Sequence, residues 1–285
     1  MDLGQGIVLF FAALLAGALN SVAGGGSFIS FPALVATQVT EKLAIGTNTT
    51  ALWLGALSSV GAYRRGIQKH RRLMLMMSIP SLVGGFVGTE ILIGTPDVTL
   101  RLIVPFLLLF AVLLFTFSPR ITAFFRQRQT RPTSNTRALI LTMLLQFLVA
   151  SYGGFFGAGI GIMMLAVLSI YGLENIHEMN TVKTSQATLI NGISAIVLIA
   201  AGQVLLLQGI VMTIAAVIGG YGGAHYAQKL DPKLVRKFVI VVGFTLTAFF
   251  FCELSLCPLA QNQNPEFSLR VHIDYLISST TLINY

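Results

Sequence analysis

Two polar clusters interrupt the otherwise apolar stretches of this chain, and they are built alike. The first reads Gly46-Thr47-Asn48-Thr49-Thr50 and the second Lys183-Thr184-Ser185-Gln186. Hydroxyls and amides at the start of an apolar helix can donate to the oxygens of an anion. The same groups also cap helices or bond to neighbouring helices in a membrane. Ahead of each cluster lies a glycine block, Gly24-Gly25-Gly26 or Gly159-Ile160-Gly161. Glycine turns sharply and lets a ligand reach the backbone. A helix that starts at such a block presents unpaired N–H groups and the positive end of its dipole, which suits an anion.

These residues define a candidate anion site. Gly24, Gly25, Gly26, Gly159 and Gly161 supply backbone donors, while Thr47, Asn48, Thr49, Lys183, Thr184 and Ser185 complete the cage. Asn20 and Ser21, just before the first block, are open to the same two readings as the polar clusters. Lys183 is the only basic residue in either cluster. At the membrane midplane it would neutralise an anion; at the interface it would snorkel and only help to orient the chain. Snorkelling is the expectation. Two further glycine blocks, Gly84-Gly85-x-x-Gly88 and Gly219-Gly220-x-Gly222-Gly223, lie inside long apolar stretches and read as close helix packing.

Other chemistry is sparse. Glu90 and His225 sit 135 residues apart near the ends of apolar stretches. A proton-coupling role is open to them, but solvation at an interface is the simpler reading. None of His70, His177, His225 and His272 pairs with another at metal-ligand spacing, and Cys252 and Cys257 form no disulfide framework. No Gly-Lys-Ser/Thr or βαβ context turns the glycines into a nucleotide loop. No metal or cofactor is implied.

The chain that must position these residues has 285 of them, 55% hydrophobic and 10% charged, with a mean hydropathy of +0.81. Soluble domains carry about 25% charged residues. That scarcity argues against a soluble enzyme, a disordered protein and a nucleic-acid binder, and for an all-α, polytopic membrane protein. The net charge of +8 then belongs to cytoplasmic loops, not to a nucleic-acid partner. Residues 7–19 loosely suggest a signal peptide but lack a basic flank, so they are read as part of the mature protein.

The chain repeats itself once. Ala23-Gly24-Gly25-Gly26-Ser27 aligns with Ala158-Gly159-Ile160-Gly161-Ile162 at an offset of 135, and the block at Val83–Gly88 aligns with Ile218–Gly223 at the same offset. Each half divides into five apolar pieces: 7–22, 27–37, 43–62, 73–93 and 99–117, then 138–156, 160–171, 182–201, 209–227 and 235–252. The piece 27–37 spans about 16 Å as a helix, too short to cross a bilayer that needs about 20 residues. The first two pieces of each half are therefore read as a V that meets at the glycine block, followed by three crossings. An odd number of crossings inverts the second half. The inverted arrangement puts 15 of 18 basic residues in cytoplasmic segments, against 11 for parallel halves, and the positive-inside rule favours inversion. The expected organisation is a first repeat over 1–118, a basic cytoplasmic linker over 119–137, a second repeat over 138–253 and an extracytoplasmic, poorly ordered tail over 254–285.

Inverted repeats with interrupted helices are the architecture of secondary transporters, with substrate bound between the repeats. The run from Ala23 to Ser27, Pro32 and Ala44-Ile45-Gly46-Thr47-Asn48 resembles the first-repeat signature of the TauE/SafE sulfite exporter family. Gly153-Gly154-Phe155-Phe156-Gly157-Ala158-Gly159-x-Gly161 resembles its second. The resemblance covers about 7–252 and implies a cytoplasmic-membrane carrier of sulfite, organosulfonates or related small anions. In place of Ala44-Ile45-Gly46-Thr47, the second half has Asn180-Thr181-Val182-Lys183, a departure from the family pattern that leaves the substrate open. The expected function is export of a small sulfur oxyanion by alternating access, with a coupling proton or other ion. The rivals are a membrane-embedded enzyme and a non-transporting assembly subunit.

Overall fold

A computed structural model describes residues 1–22, 25–60, 70–128, 136–173, 175–226 and 232–263, and among these every regular element is an α-helix. The first five helices are α1 (Leu3–Val22), α2 (Ser27–Val35), α3 (Glu41–Val60), α4 (Arg71–Gly94) and α5 (Asp97–Arg128). Their counterparts are α6 (Thr136–Phe155), α7 (Ile160–Tyr171), α8 (Ile176–Ala200), α9 (Leu206–Tyr226) and α10 (Pro232–Gln263). The five-piece pattern of each half thus corresponds to five helices. The boundaries differ where polar residues extend a helix beyond its apolar stretch. α5 continues past residue 117 to Arg128, and α10 past residue 252 to Gln263.

Among the described residues, five helices are long and apolar enough to cross a membrane, through Leu3–Ser21, Arg71–Gly94, Asp97–Ser118, Glu178–Ala200 and Leu206–Gly223. Leu139–Phe155, Ile160–Tyr171 and Val239–Cys252 are shorter apolar helices. The 20 residues of α3 also suffice in length, but Glu41, Lys42 and the run Thr47-Asn48-Thr49-Thr50 lower its hydropathy and keep it out of the group of five. It is enclosed by its neighbours, with Ala44 to Thr49 all buried. Outward faces carry large apolar side chains at helical spacing, such as Ile7, Phe11 and Leu15 on α1 and Ile210, Ile214 and Ile218 on α9. Such stripes suit contact with lipid tails. The protein is a polytopic membrane protein.

The helices do not pack repeat by repeat. α1 lies on α9 and α6 on α4, while α3 packs on α9 and α8 on α4. α2 reaches α10 and α7 reaches α5; α3 meets its own counterpart α8, and α5 meets α10. Exchanging the halves returns the same set of pairs. Glycine permits the closest approaches. A Cβ at Gly88 would overlap the Ser151 carbonyl oxygen between α4 and α6, and one at Gly219 would overlap that of Leu14 between α9 and α1. The packing reading of these two glycine blocks therefore holds.

Neighbouring contacts also fix helix directions. Thr47 lies near Gly209, and Gly55 further along α3 lies against Ala216, so α3 and α9 run the same way. Ser81 of α4 bonds to Gln186 of α8 and Gly85 lies beside Ile190, so α4 and α8 also run together. Gly46 touches Gln203, just after α8, whereas Trp53 touches Gly192 earlier in α8. The counterparts α3 and α8 therefore run in opposite senses.

Candidate anion site

Both helix pairs break at glycine. Gly25 has φ +100° between α1 and α2; Gly157 and Gly159 have φ +81° and +80° between α6 and α7. L-residues rarely adopt this left-handed region. Each break is fastened by a side chain from the helix before it. Gly26 N–H donates to Asn20 Oδ1 at 2.9 Å, and the Tyr152 hydroxyl donates to the Ala158 carbonyl at 2.9 Å. Gly159 caps α7 with no side-chain hydrogen bond; the Ile162 N–H bonds the Gly159 carbonyl at 3.1 Å, which leaves the Ile160 and Gly161 N–H groups without a carbonyl one turn back.

A cavity of about 70 Å³ lies between the two breaks. One water needs about 10–15 Å³ measured this way, so the space fits a few waters or one small ion. Asn20, Gly25, Ser27 and Thr49 line it from the first half; Gly159, Gly161, Lys183, Thr184 and Asn191 line it from the second. Leu52, Ala56, Phe156, Ile160 and Ala187 form its apolar wall.

Lys183 overturns the expectation that it snorkels. Its side chain is only 5% exposed and passes over Gly161, where an added Cβ would stand 3.4 Å from Lys183 Cδ. That is an ordinary van der Waals distance, so the lysine stem simply lies alongside Gly161. No carboxylate pairs with Lys183 among the described residues. The side chains of Thr49, Thr184 and Asn191 also have no hydrogen-bond partner among the described residues.

Of the eleven residues expected in the cage, Gly25, Thr49, Gly159, Gly161, Lys183 and Thr184 line the cavity. Gly24 lies outside the described residues. Gly26 is buried against the backbone of Ala16. The Thr47 hydroxyl accepts the Leu205 N–H at 3.0 Å, the Asn48 carbonyl oxygen accepts the Ser30 hydroxyl, and the Ser185 hydroxyl donates to the Thr181 carbonyl at 3.0 Å. The first two bonds tie α3 to its neighbours, and the third lies within α8. Asn191 was not singled out from the sequence, yet Thr184, Ala187 and Asn191 follow one another at helical spacing, a signal that extends the polar cluster by two turns. Glu90 is exposed; the His225 side chain lies outside the described residues.

A helical bundle with lipid-facing stripes and a donor-lined cavity between two like halves falls in the class of polytopic membrane transporters. The family described as "Sulfite exporter TauE/SafE" matches residues 9–250, and this chain belongs to it. It is 31% identical over 252 residues to a "Probable membrane transporter protein" of Haemophilus influenzae, covering 87% of this chain and 96% of that one. It is 27% identical over 240 residues to "Probable membrane transporter protein ORF9" of a Sinorhizobium species, covering 84% and 89%. With "Probable membrane transporter protein YfcA" of Escherichia coli K12 it shares 29% over 247 residues, covering 85% and 87%. No solved structure gives a significant match.

Proposed function

We propose that the protein is a secondary carrier that exports a small oxyanion, sulfite- or sulfonate-like, across the cytoplasmic membrane by alternating access of two inverted repeats. One observation carries the reading: Lys183 is buried beside a donor-lined cavity, with no carboxylate partner among the described residues. An ammonium held inside a membrane protein without a counter-ion is costly, and a transported anion supplies the missing charge each time it binds. Gly25, Ser27, Thr49, Gly159, Gly161, Thr184 and Asn191 complete its shell, and a coupling proton or other ion drives the cycle.

Labelled sulfite, sulfate, thiosulfate and taurine offered to proteoliposomes test this. Uptake of at least one anion well above empty vesicles is expected. Background uptake of all four would remove the carrier reading.

The opposite senses of α3 and α8 support inversion. With Lys183 in the cavity, 14 of the 18 basic residues stay in cytoplasmic segments, still the better fit to the positive-inside rule. In a chain with Cys252 and Cys257 replaced by Ser, Ile67→Cys and Pro232→Cys are expected to label from the cytoplasm and Leu205→Cys from outside. Labelling of positions 67 and 205 from one side would exclude inversion.

A further inference from the structure

The charges around the cavity can be counted. Lys183 is the single charged side chain among its described lining residues. The neighbouring helices add no acid near it. α1, α2, α6, α7 and α9 contain no Asp or Glu. The only carboxylate of α3 is Glu41, its first residue. Glu90 of α4 is exposed, and Glu178 of α8 lies 3.0 Å from His70. The helix ends at the breaks offer partial positive charge but no net charge. At 9 and 12 residues, α2 and α7 carry their negative carbonyl ends only about 14 and 18 Å away.

From this count we infer that the cavity selects singly charged oxyanions over doubly charged ones of similar size. The inference rests on the carrier reading above and adds the valence of its substrate. One ammonium and one monovalent oxyanion make a neutral pair, whose oxygens the Thr49, Thr184 and Asn191 side chains and the α7 N–H groups can bond. A divalent oxyanion fills the same space but leaves one negative charge uncompensated in a medium that screens it poorly. The apolar wall of Leu52, Ala56 and Ala187 offers that extra charge no donor. For an anion with a second ionisation near neutral pH, the singly charged form is then the one carried.

The test uses the purified full-length chain in lipid nanodiscs, titrated calorimetrically with methanesulfonate and with sulfate against a constant chloride background. Methanesulfonate is expected to bind about tenfold or more tightly than sulfate. Lys183→Gln should weaken methanesulfonate binding and level the two affinities. Asn191→Lys, which brings a second positive charge to the wall, should shift the preference towards sulfate. Sulfate binding as tightly as methanesulfonate to the unaltered chain would overturn the valence rule and leave the carrier reading standing. A preference that persists unchanged in Lys183→Gln would also overturn it, because the lysine would not be its source. Binding of neither ion, together with background uptake of the four anions named above, would remove the carrier reading and this inference with it.

Discussion

Lys183→Gln is expected to lower anion uptake by about two orders of magnitude or more while leaving the protein folded and at least as heat-stable as before. Both halves of that result follow from the lysine's surroundings. Removing one partner of a buried charge pair costs about 3–5 kcal/mol, and about 1.4 kcal/mol is a factor of ten. In the loaded carrier the partner is the bound anion, so the loss falls on binding and transport. In the empty protein there is no such partner among the described residues, and a neutral amide of similar length relieves the cost of holding an ammonium at 5% exposure. A residue that merely braced the fold would show the opposite pattern, with stability falling alongside activity. Lys183→Arg keeps the charge but needs space for a planar head where the stem already lies against Gly161, so partial recovery of uptake is expected. Initial uptake rates in proteoliposomes and melting followed by size-exclusion chromatography measure the two quantities. A Lys183→Gln protein that melts early and still transports would contradict the assignment.

The second large effect concerns helix packing. Gly88→Ala and Gly219→Ala are each expected to destabilise the protein by about 1–3 kcal/mol or more, and the corresponding Leu variants to yield no stable monodisperse protein. In both positions the new carbon would collide with a backbone carbonyl of the facing helix, that of Ser151 or of Leu14. A backbone group cannot swing aside as a flexible side chain can, so the helices must separate along their length. Gly94 and Gly222 provide the contrast, because an added Cβ at either meets nothing within 4 Å. Gly222→Ala should be neutral or stabilising by about 0.5–1 kcal/mol, since alanine loses less conformational freedom within a helix. Equal melting temperatures for Gly88→Ala and Gly222→Ala would refute this account of the glycine blocks.

The sequence conveyed the large plan better than the details of the site. The doubled glycine blocks at an offset of 135 could be read because backbone contact tolerates no substitute, and that same requirement identified their packing role. The polar cluster Thr47-Asn48-Thr49-Thr50 was harder to resolve. Successive residues on a helix point about 100° apart, so four adjacent polar side chains cannot share one cavity. Only Thr49 lines it; Thr47 and Asn48 bond to Leu205 and Ser30. Those partners are 158 and 18 residues away in the chain, and no local pattern announces them. The burial of Lys183 is hidden in the sequence for a related reason. Its place at the start of an apolar piece suggested an interface, but α8 begins earlier, at Ile176. The added residues set the lysine about two turns inside the helix, alongside Gly161.

The exchange of helices between the halves bears on how the protein is made. The polar bonds linking Ser81, Gln146 and Gln186 tie α4, α6 and α8 into one group, and Ala16, Leu52 and Ala216 join α1, α3 and α9 into another. Each group draws on both repeats, so neither half of the chain contains a complete one. During synthesis, α1 and α4 enter the bilayer before α9 and α6 exist, and their glycine faces first meet lipid. Assembly of either group therefore waits for the second half to leave the ribosome. The two halves are thereby tied together by packing that neither half contains alone.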